Sequence, residues 1–136
     1  MSAENVEIQR RGYERFIASG DLSEADMDPE FVWDMSTFRS WPEQQTYDGI
    51  GGAMKFLADW AGFWDDWQLE VEDLRDAGDK VVAIVRQRGR SKATGLPVDM
   101  HFAQVWTFRD GKQLRMEMYA TPEEALRAAG LAEAAD

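Results

Sequence analysis

The stretch Val98-Asp-Met-His-Phe-Ala-Gln-Val-Trp-Thr-Phe-Arg-Asp-Gly-Lys-Gln-Leu-Arg-Met-Glu-Met-Tyr-Ala120 decides the fold. It holds two long alternating runs. Val98, Met100, Phe102, Gln104, Trp106 and Phe108 share one face of the first, and Leu114, Met116, Met118 and Ala120 share one face of the second. Asp110-Gly111 between them is a hairpin signal, because both residue types tolerate the positive φ of a tight reversal. A ribbon this long needs a cover over its apolar face. Gln104 is the polar exception on that face, and a buried amide among Phe102, Trp106 and methionines must find partners or bind something. That makes it the first pointer to a ligand cavity.

Period two extends upstream of the ribbon. Gln68 to Arg75 alternates, Ala77-Gly78-Asp79 turns, Val81 to Arg90 is a strand rich in β-branched residues, and Thr94-Gly95-Leu96-Pro97 turns into the ribbon. Downstream, Pro122 to Ala134 is helix-forming, with Glu123 and Glu124 suited to the positive helix end. The first half is mostly helical. Ser2 can cap a helix in which Val6, Tyr13, Phe16 and Ile17 recur and which Gly20 stops. Ser23 to Asp26 starts a short helical turn that Pro29 closes. Phe31 to Ser36 reads as a strand, with Phe31, Trp33 and Met35 on one face and Val32, Asp34 and Ser36 on the other. Thr37 to Tyr47 has no period, contains Trp41-Pro42, and reads as an irregular loop packed over something. Asp48 can cap a helix with two apolar stripes: Ile50, Met54, Leu57, Ala61 and Trp64 on one, and Phe56, Trp60 and Phe63 on the other. Such a helix is expected to be buried between layers. Helices first and a meandering antiparallel sheet after them predict an α+β fold, one domain over residues 1–136.

Composition excludes several functions. There is no cysteine, so thiolate chemistry and Cys-ligated metals are ruled out, and His101 is the only histidine, which makes a triad or a multi-histidine metal site improbable. No metal is expected. The net charge of -11 opposes nucleic acid and anionic membranes alike. Gly49-Ile50-Gly51-Gly52 lacks the spacing of a phosphate-binding loop. Without a leader-like or membrane-spanning segment, a cytoplasmic protein is the expectation.

The order helix, short helix, strand, long helix and four-strand meander resembles the nuclear transport factor 2-like superfamily over nearly the whole chain. Trp106-Thr107-Phe108-Arg109-Asp110-Gly111-Lys112, then Tyr119 and Glu124-Ala125-Leu126-Arg127-Ala128-Ala129-Gly130-Leu131, resemble the last hairpin and tail of SnoaL-like proteins. The resemblance implies a cone-shaped α+β barrel, its curved antiparallel sheet wrapped around the N-terminal helices over an apolar cavity. Trp33, Trp41, Met54, Leu57, Phe102, Trp106, Met116 and Met118 are its expected ligand-binding wall. The superfamily holds polyketide cyclases, ketosteroid isomerases, epoxide hydrolases, dehydratases and non-catalytic binding modules, so the fold alone does not select a chemistry.

Aligned on Gly20-Asp21-Leu22, Tyr13 falls where ketosteroid isomerases carry the tyrosine that donates to the substrate oxygen, and Asp34 where they carry the proton-moving carboxylate. Gln104 stands where they carry an acid, and an amide donates to an oxyanion but transfers no proton. Thr121 replaces an aspartate common in SnoaL-like sequences. Catalysis would therefore rest on Asp34, desolvated, with a raised pKa and working as general base, while Tyr13 and Gln104 hold the substrate oxygen. Each has a plain structural alternative: Tyr13 as a core tyrosine, Gln104 as a satisfied amide, Asp34 as a carboxylate pointing to water from a sheet edge or paired with Arg86 or Arg88. Arg86, Arg88 and Arg90 form either an acid-paired outer stripe or an anchor at the cavity mouth. Asp99, His101, Ala103, Val105 and Thr107 face away from the cavity and suit a homodimer through the convex sheet face.

Two functions stay open. One is a cofactor-free acid-base enzyme of isomerase, cyclase or dehydratase type acting on a bulky apolar carbonyl compound. The other is a binding protein that holds an apolar small molecule without turnover.

Overall fold

Asp110 and Gly111 turn the chain with φ of 53° and 77°, and the strands on either side pair as the alternation requires. The computed structural model describes residues 2–38, 41 and 44–131. In chain order these form α1 (Ser2–Ser19), a 3-10 turn (Glu24–Asp26), β1 (Met27–Asp34), β2 (Thr46–Asp48), α2 (Gly49–Ala61), β3 (Trp64–Ala77), β4 (Lys80–Ser91), β5 (Pro97–Arg109), β6 (Lys112–Tyr119) and α3 (Pro122–Ala128). The Ser2 side chain, Pro42 and the part of the last helix expected beyond residue 131 lie outside the described residues.

The six strands form one curved sheet in the order β2-β1-β6-β5-β4-β3. The α+β expectation holds, with a correction to the sheet: β1 joins β6 in parallel, Trp33 opposite Met116 and Asp34 opposite Glu117, so the sheet is mixed rather than antiparallel. A parallel pair needs a long crossover, and the connection from β1 to β6 carries α2 and four strands. The loop expected at Thr37 to Tyr47 also carries a short strand, β2, on the outer edge of β1. Pro29 lies inside β1 instead of closing the turn before it. It falls where the pairing with β6 shifts register between Met27 and Val32, so its missing N–H breaks no regular ladder.

The concave face buries the main core. Phe31, Trp33, Val81, Val85, Phe102, Trp106, Phe108 and Met116 meet Tyr13 from α1 and Phe56 and Trp60 from α2. The α2 helix is not buried between layers. It turns Ala53, Phe56 and Trp60 inward and leaves Met54 45 % exposed, and Asp48 at its N-cap position makes no side-chain capping bond. A second cluster occupies the opposite face, where α3 lays Ala125 and Leu126 over Val82, Ala103 and Val105. Thr121 caps that helix by accepting from the Glu124 backbone N–H at 3.2 Å. No helix among the described residues is long and apolar enough to cross a membrane.

One irregularity sets the identity of a cavity residue. Thr107 pairs with Arg115 but Phe108 pairs with Gln113, leaving Leu114 as an extra residue in β6. This β-bulge reverses the in-out alternation. Leu114 therefore leaves the inward face that the uninterrupted period assigned to it, and Gln113 is buried in its place.

Candidate functional site

A cavity of about 60 Å³ lies between α1, α2 and the concave sheet. Its deep part is made by buried side chains, among them Tyr13, Trp33, Phe56, Trp60, Phe102, Gln104, Trp106 and Met118. Its mouth is made by half-buried ones: Leu22, Ser23 and Asp26 after α1, Phe16 on α1, and Trp67 and Leu69 on β3. Phe16, Trp67 and Leu69 also line an outer groove of about 370 Å³ that continues past Ile17 and Gly20.

Tyr13 reaches the sheet because α1 buries the positions spaced three and four apart, Asn5, Gln9, Tyr13 and half-buried Phe16, while Ile17 is 51 % exposed. Its hydroxyl donates to Gln104 Oε1 and accepts from Trp106 Nε1 at 2.9 Å. Burial pushes that hydroxyl well above the ordinary tyrosine pKa, opposed in part by the Trp106 N–H, so it stays protonated. The Gln104 amide nitrogen meets only the soft Met118 sulfur, 3.9 Å away. Gln9 and Gln113 pair at 2.9 Å, and Trp60 Nε1 donates to Gln87 Oε1 at 2.6 Å. The Trp33 and Trp67 indole nitrogens are buried with no hydrogen-bond partner in the protein. The polar lining is thus rich in N–H donors that are unused or weakly used.

Asp34 is elsewhere. On β1 it alternates with Trp33, so when the indole enters the cavity the carboxylate points to the opposite face, beside Arg115 and Glu117 of β6. There it accepts from Arg115 Nη2 and from the Ser36 backbone N–H at 2.8 Å. Burial alone would raise its pKa, but the Ser36 hydrogen bonds and the Arg115 charge outweigh it and hold the carboxyl below the ordinary carboxylate value. Both the cavity position and the raised pKa expected for a general base are therefore corrected. Its ionic partner is Arg115 rather than Arg86 or Arg88.

Of the expected wall, Trp33, Leu57, Phe102, Trp106 and Met118 line the cavity with Tyr13 and Gln104. Met116 is fully buried but packs behind the lining, and Met54 faces outward. Trp41 is buried against Phe56 and Trp60 and lines a separate cleft of about 420 Å³ with Phe38, Phe63 and Trp64. The arginine stripe lies on the outer face, where Arg86 binds Asp99 through two hydrogen bonds of 2.9 and 2.6 Å. His101, on the same face, has Nε2 2.9 Å from Glu72.

Sequence reading missed Gln9, Gln87, Gln113 and Asp26. Gln9 was legible as the residue one turn before Tyr13, and Gln87 as the continuation of inward Val81, Ala83 and Val85. Gln113 was not, because nothing in the local pattern marks the bulge. Among the described residues, no group of three His, Cys, Asp or Glu could hold a metal ion.

A model of the SnoaL-like domain matches residues 10–116. The chain belongs to the SnoaL-like domain family. No curated protein matches it by sequence. Among solved structures, TerC co-crystallised with polyporic acid is 23 % identical with a TM-score of 0.70, covering 96 % of this chain and 98 % of that one. An NTF2-like protein from Burkholderia thailandensis is 23 % identical with a TM-score of 0.74, covering 93 % and 96 %. A protein of ketosteroid isomerase-like fold from Catenulispora acidiphila, in complex with trimethylamine, is 14 % identical with a TM-score of 0.63, covering 88 % and 92 %. At these identities the likeness is one of fold, and it makes the chain an NTF2-like structure.

Proposed function

We propose that this SnoaL-like protein binds a largely apolar small molecule in the cone, and that the molecule carries at least one acceptor oxygen. The observation that carries this reading is the set of buried donors around one apolar cavity: the Trp33 and Trp67 N–H groups without partners and the Gln104 amide facing sulfur. An orphaned buried donor costs about 1–3 kcal/mol, which a carbonyl or hydroxyl oxygen of the ligand would recover. Tyr13 fixes the Gln104 carbonyl as acceptor, so the amide N–H of Gln104 is the end offered to the ligand. Two fold neighbours were crystallised with small organic molecules, which supports a small-molecule ligand for this fold.

The cavity as it stands is smaller than the roughly 300–1,000 Å³ of ordinary ligand sites. A bulky ligand would need the half-buried lip residues Phe16 and Trp67 to shift, joining the cavity to the groove they share. Titration calorimetry with neutral carbonyl-bearing aromatic compounds tests the proposal, with Gln104→Leu as the control. Binding weakened at least about tenfold in that variant, roughly 1.4 kcal/mol, supports it, and unchanged binding overturns it.

The acid-base enzyme is the second reading. Asp26 favours it, as the one carboxylic acid among the lining residues, and proton exchange at a carbon next to a carbonyl, followed by NMR in deuterated water, tests it. The outer-face homodimer is also a proposal, restricted to the polar part of that face around Glu72, Arg86, Asp99 and His101, because α3 covers Ala103 and Val105. Sedimentation of wild type and Arg86→Glu tests it.

A further inference from the structure

The charges around the cavity are as one-sided as its hydrogen-bond donors. Its lining includes no lysine, arginine or histidine, and its one carboxylic acid is Asp26, in the 3-10 turn at the mouth. Asp28, two residues further along, is by contrast paired with Arg109 at 3.0 Å. Asp26 makes no ion pair among the described residues. The groove meets the cavity at Phe16, Trp67 and Leu69, and Asp26 lines the cavity beside half-buried Leu22 and Ser23, so the part of a ligand that rests at this half-buried end meets a carboxylate without an ion-pair partner. The net charge of -11 adds to that field.

We propose that Asp26 is the charge filter of the cavity, admitting ligands that are neutral or cationic at the mouth end and refusing anionic analogues of the same shape. This rests on the binding reading above and names its ligand class: an apolar body, an acceptor oxygen at the deep end, and a hydroxyl or ammonium donor at the outer end. A carboxylate at the outer end would lose hydration against Phe16, Leu22 and Trp67, find no cation, and face Asp26. An ammonium there gains both the carboxylate and the aromatic faces. The deep end asks for the opposite chemistry, because the Trp33 N–H and the Gln104 amide there are donors.

Three single-ring compounds isolate the outer group: tyrosol, tyramine and 4-hydroxyphenylacetate share a hydroxyphenyl end and differ in an alcohol, an ammonium or a carboxylate. Calorimetry and ligand-observed NMR on the full chain should give 4-hydroxyphenylacetate at least about tenfold weaker than tyrosol at low salt, narrowing as salt screens the repulsion. Asp26→Asn, checked for unchanged melting, should bring the two within about threefold and remove any advantage of tyramine. Equal binding of all three to the wild type, or the same ranking in Asp26→Asn, overturns the charge filter and leaves cavity binding intact. The wild-type ranking and its salt dependence need no variant, so a poorly folded substitution does not spare the proposal. Tyrosol failing to bind at all, with no protection of the cavity side chains, overturns both the filter and the binding reading.

Discussion

Tyr13 on the first helix gives its phenolic hydrogen to Gln104 on the fifth strand, across 91 residues of chain, and takes one back from Trp106. One hydroxyl thus holds the helix at a set height over the sheet and sets which end of the Gln104 amide faces the cavity. Removing it with Tyr13→Phe leaves the Gln104 carbonyl and the Trp106 N–H unpartnered in a buried place. A loss of about 1–3 kcal/mol is expected in urea unfolding. The double variant Tyr13→Phe, Gln104→Leu should lose clearly less than the sum of the singles, since the two act through one bond. Additive losses would show that the pair is not coupled.

Asp34 predicts an acid sensitivity rather than a catalytic pH profile. Its folded-state carboxyl lies below the ordinary value, so the pair with Arg115 stabilises the fold at pH above the unfolded-state value, about 3.9. That stability drains away as the pH falls through the lower, folded-state value. The melting temperature of the wild type should fall more steeply below about pH 4 than that of Asp34→Asn. Ligand affinity should be the same in both. A loss of binding in Asp34→Asn, with folding intact, would return Asp34 to the site.

Gly52 sits in the first turn of α2, where an added Cβ would meet the Tyr47 backbone carbonyl carbon at 2.7 Å. Tyr47 is fully buried and accepts from Trp41 Nε1 at 3.2 Å, so it has little room to move. Gly52→Ala should therefore destabilise by about 1–3 kcal/mol despite alanine's better helix propensity. Chemical denaturation reads this directly, and a neutral or stabilising result would mean that α2 shifts freely along β2.

Val105 is 1 % exposed beneath α3. Charging it with Val105→Glu should unfold or strip away that helix, seen as lost helical circular dichroism and a cost of several kcal/mol, whatever the oligomeric state. Thr121→Ala removes the cap of the same helix and should cost about 1 kcal/mol. If Val105→Glu instead leaves stability untouched and only changes sedimentation, the face is an interface after all.

Residues with a strong period were legible. The ribbon from Val98, its turn, and the inward set Phe102, Gln104 and Trp106 follow from alternation alone, and the first strand's Phe31, Trp33 and Met35 do as well. Two local events hid the rest. The extra residue at Leu114 inverts the alternation, so Gln113 enters the core against its pattern. The parity of β1 then decided Asp34: matching it to a family position said nothing about which face of the strand that position occupies here, and Trp33 needed the inside more. Parallel pairing of β1 with β6 is a tertiary choice that no short window of residues encodes.

That parallel pairing also sets an order of events in time. The strand that opens the sheet finds its inner neighbour only in the last strand of the chain, so during synthesis β1 waits with β2 and α2 while three intervening strands emerge. Contacts of such long sequence separation slow folding, and an unmated strand edge bearing Phe31 and Trp33 is exposed in the meantime. The chain can commit to its cavity only once β6 is free to seat between β1 and β5, so a truncation before Lys112 should yield an aggregating fragment rather than a smaller cone.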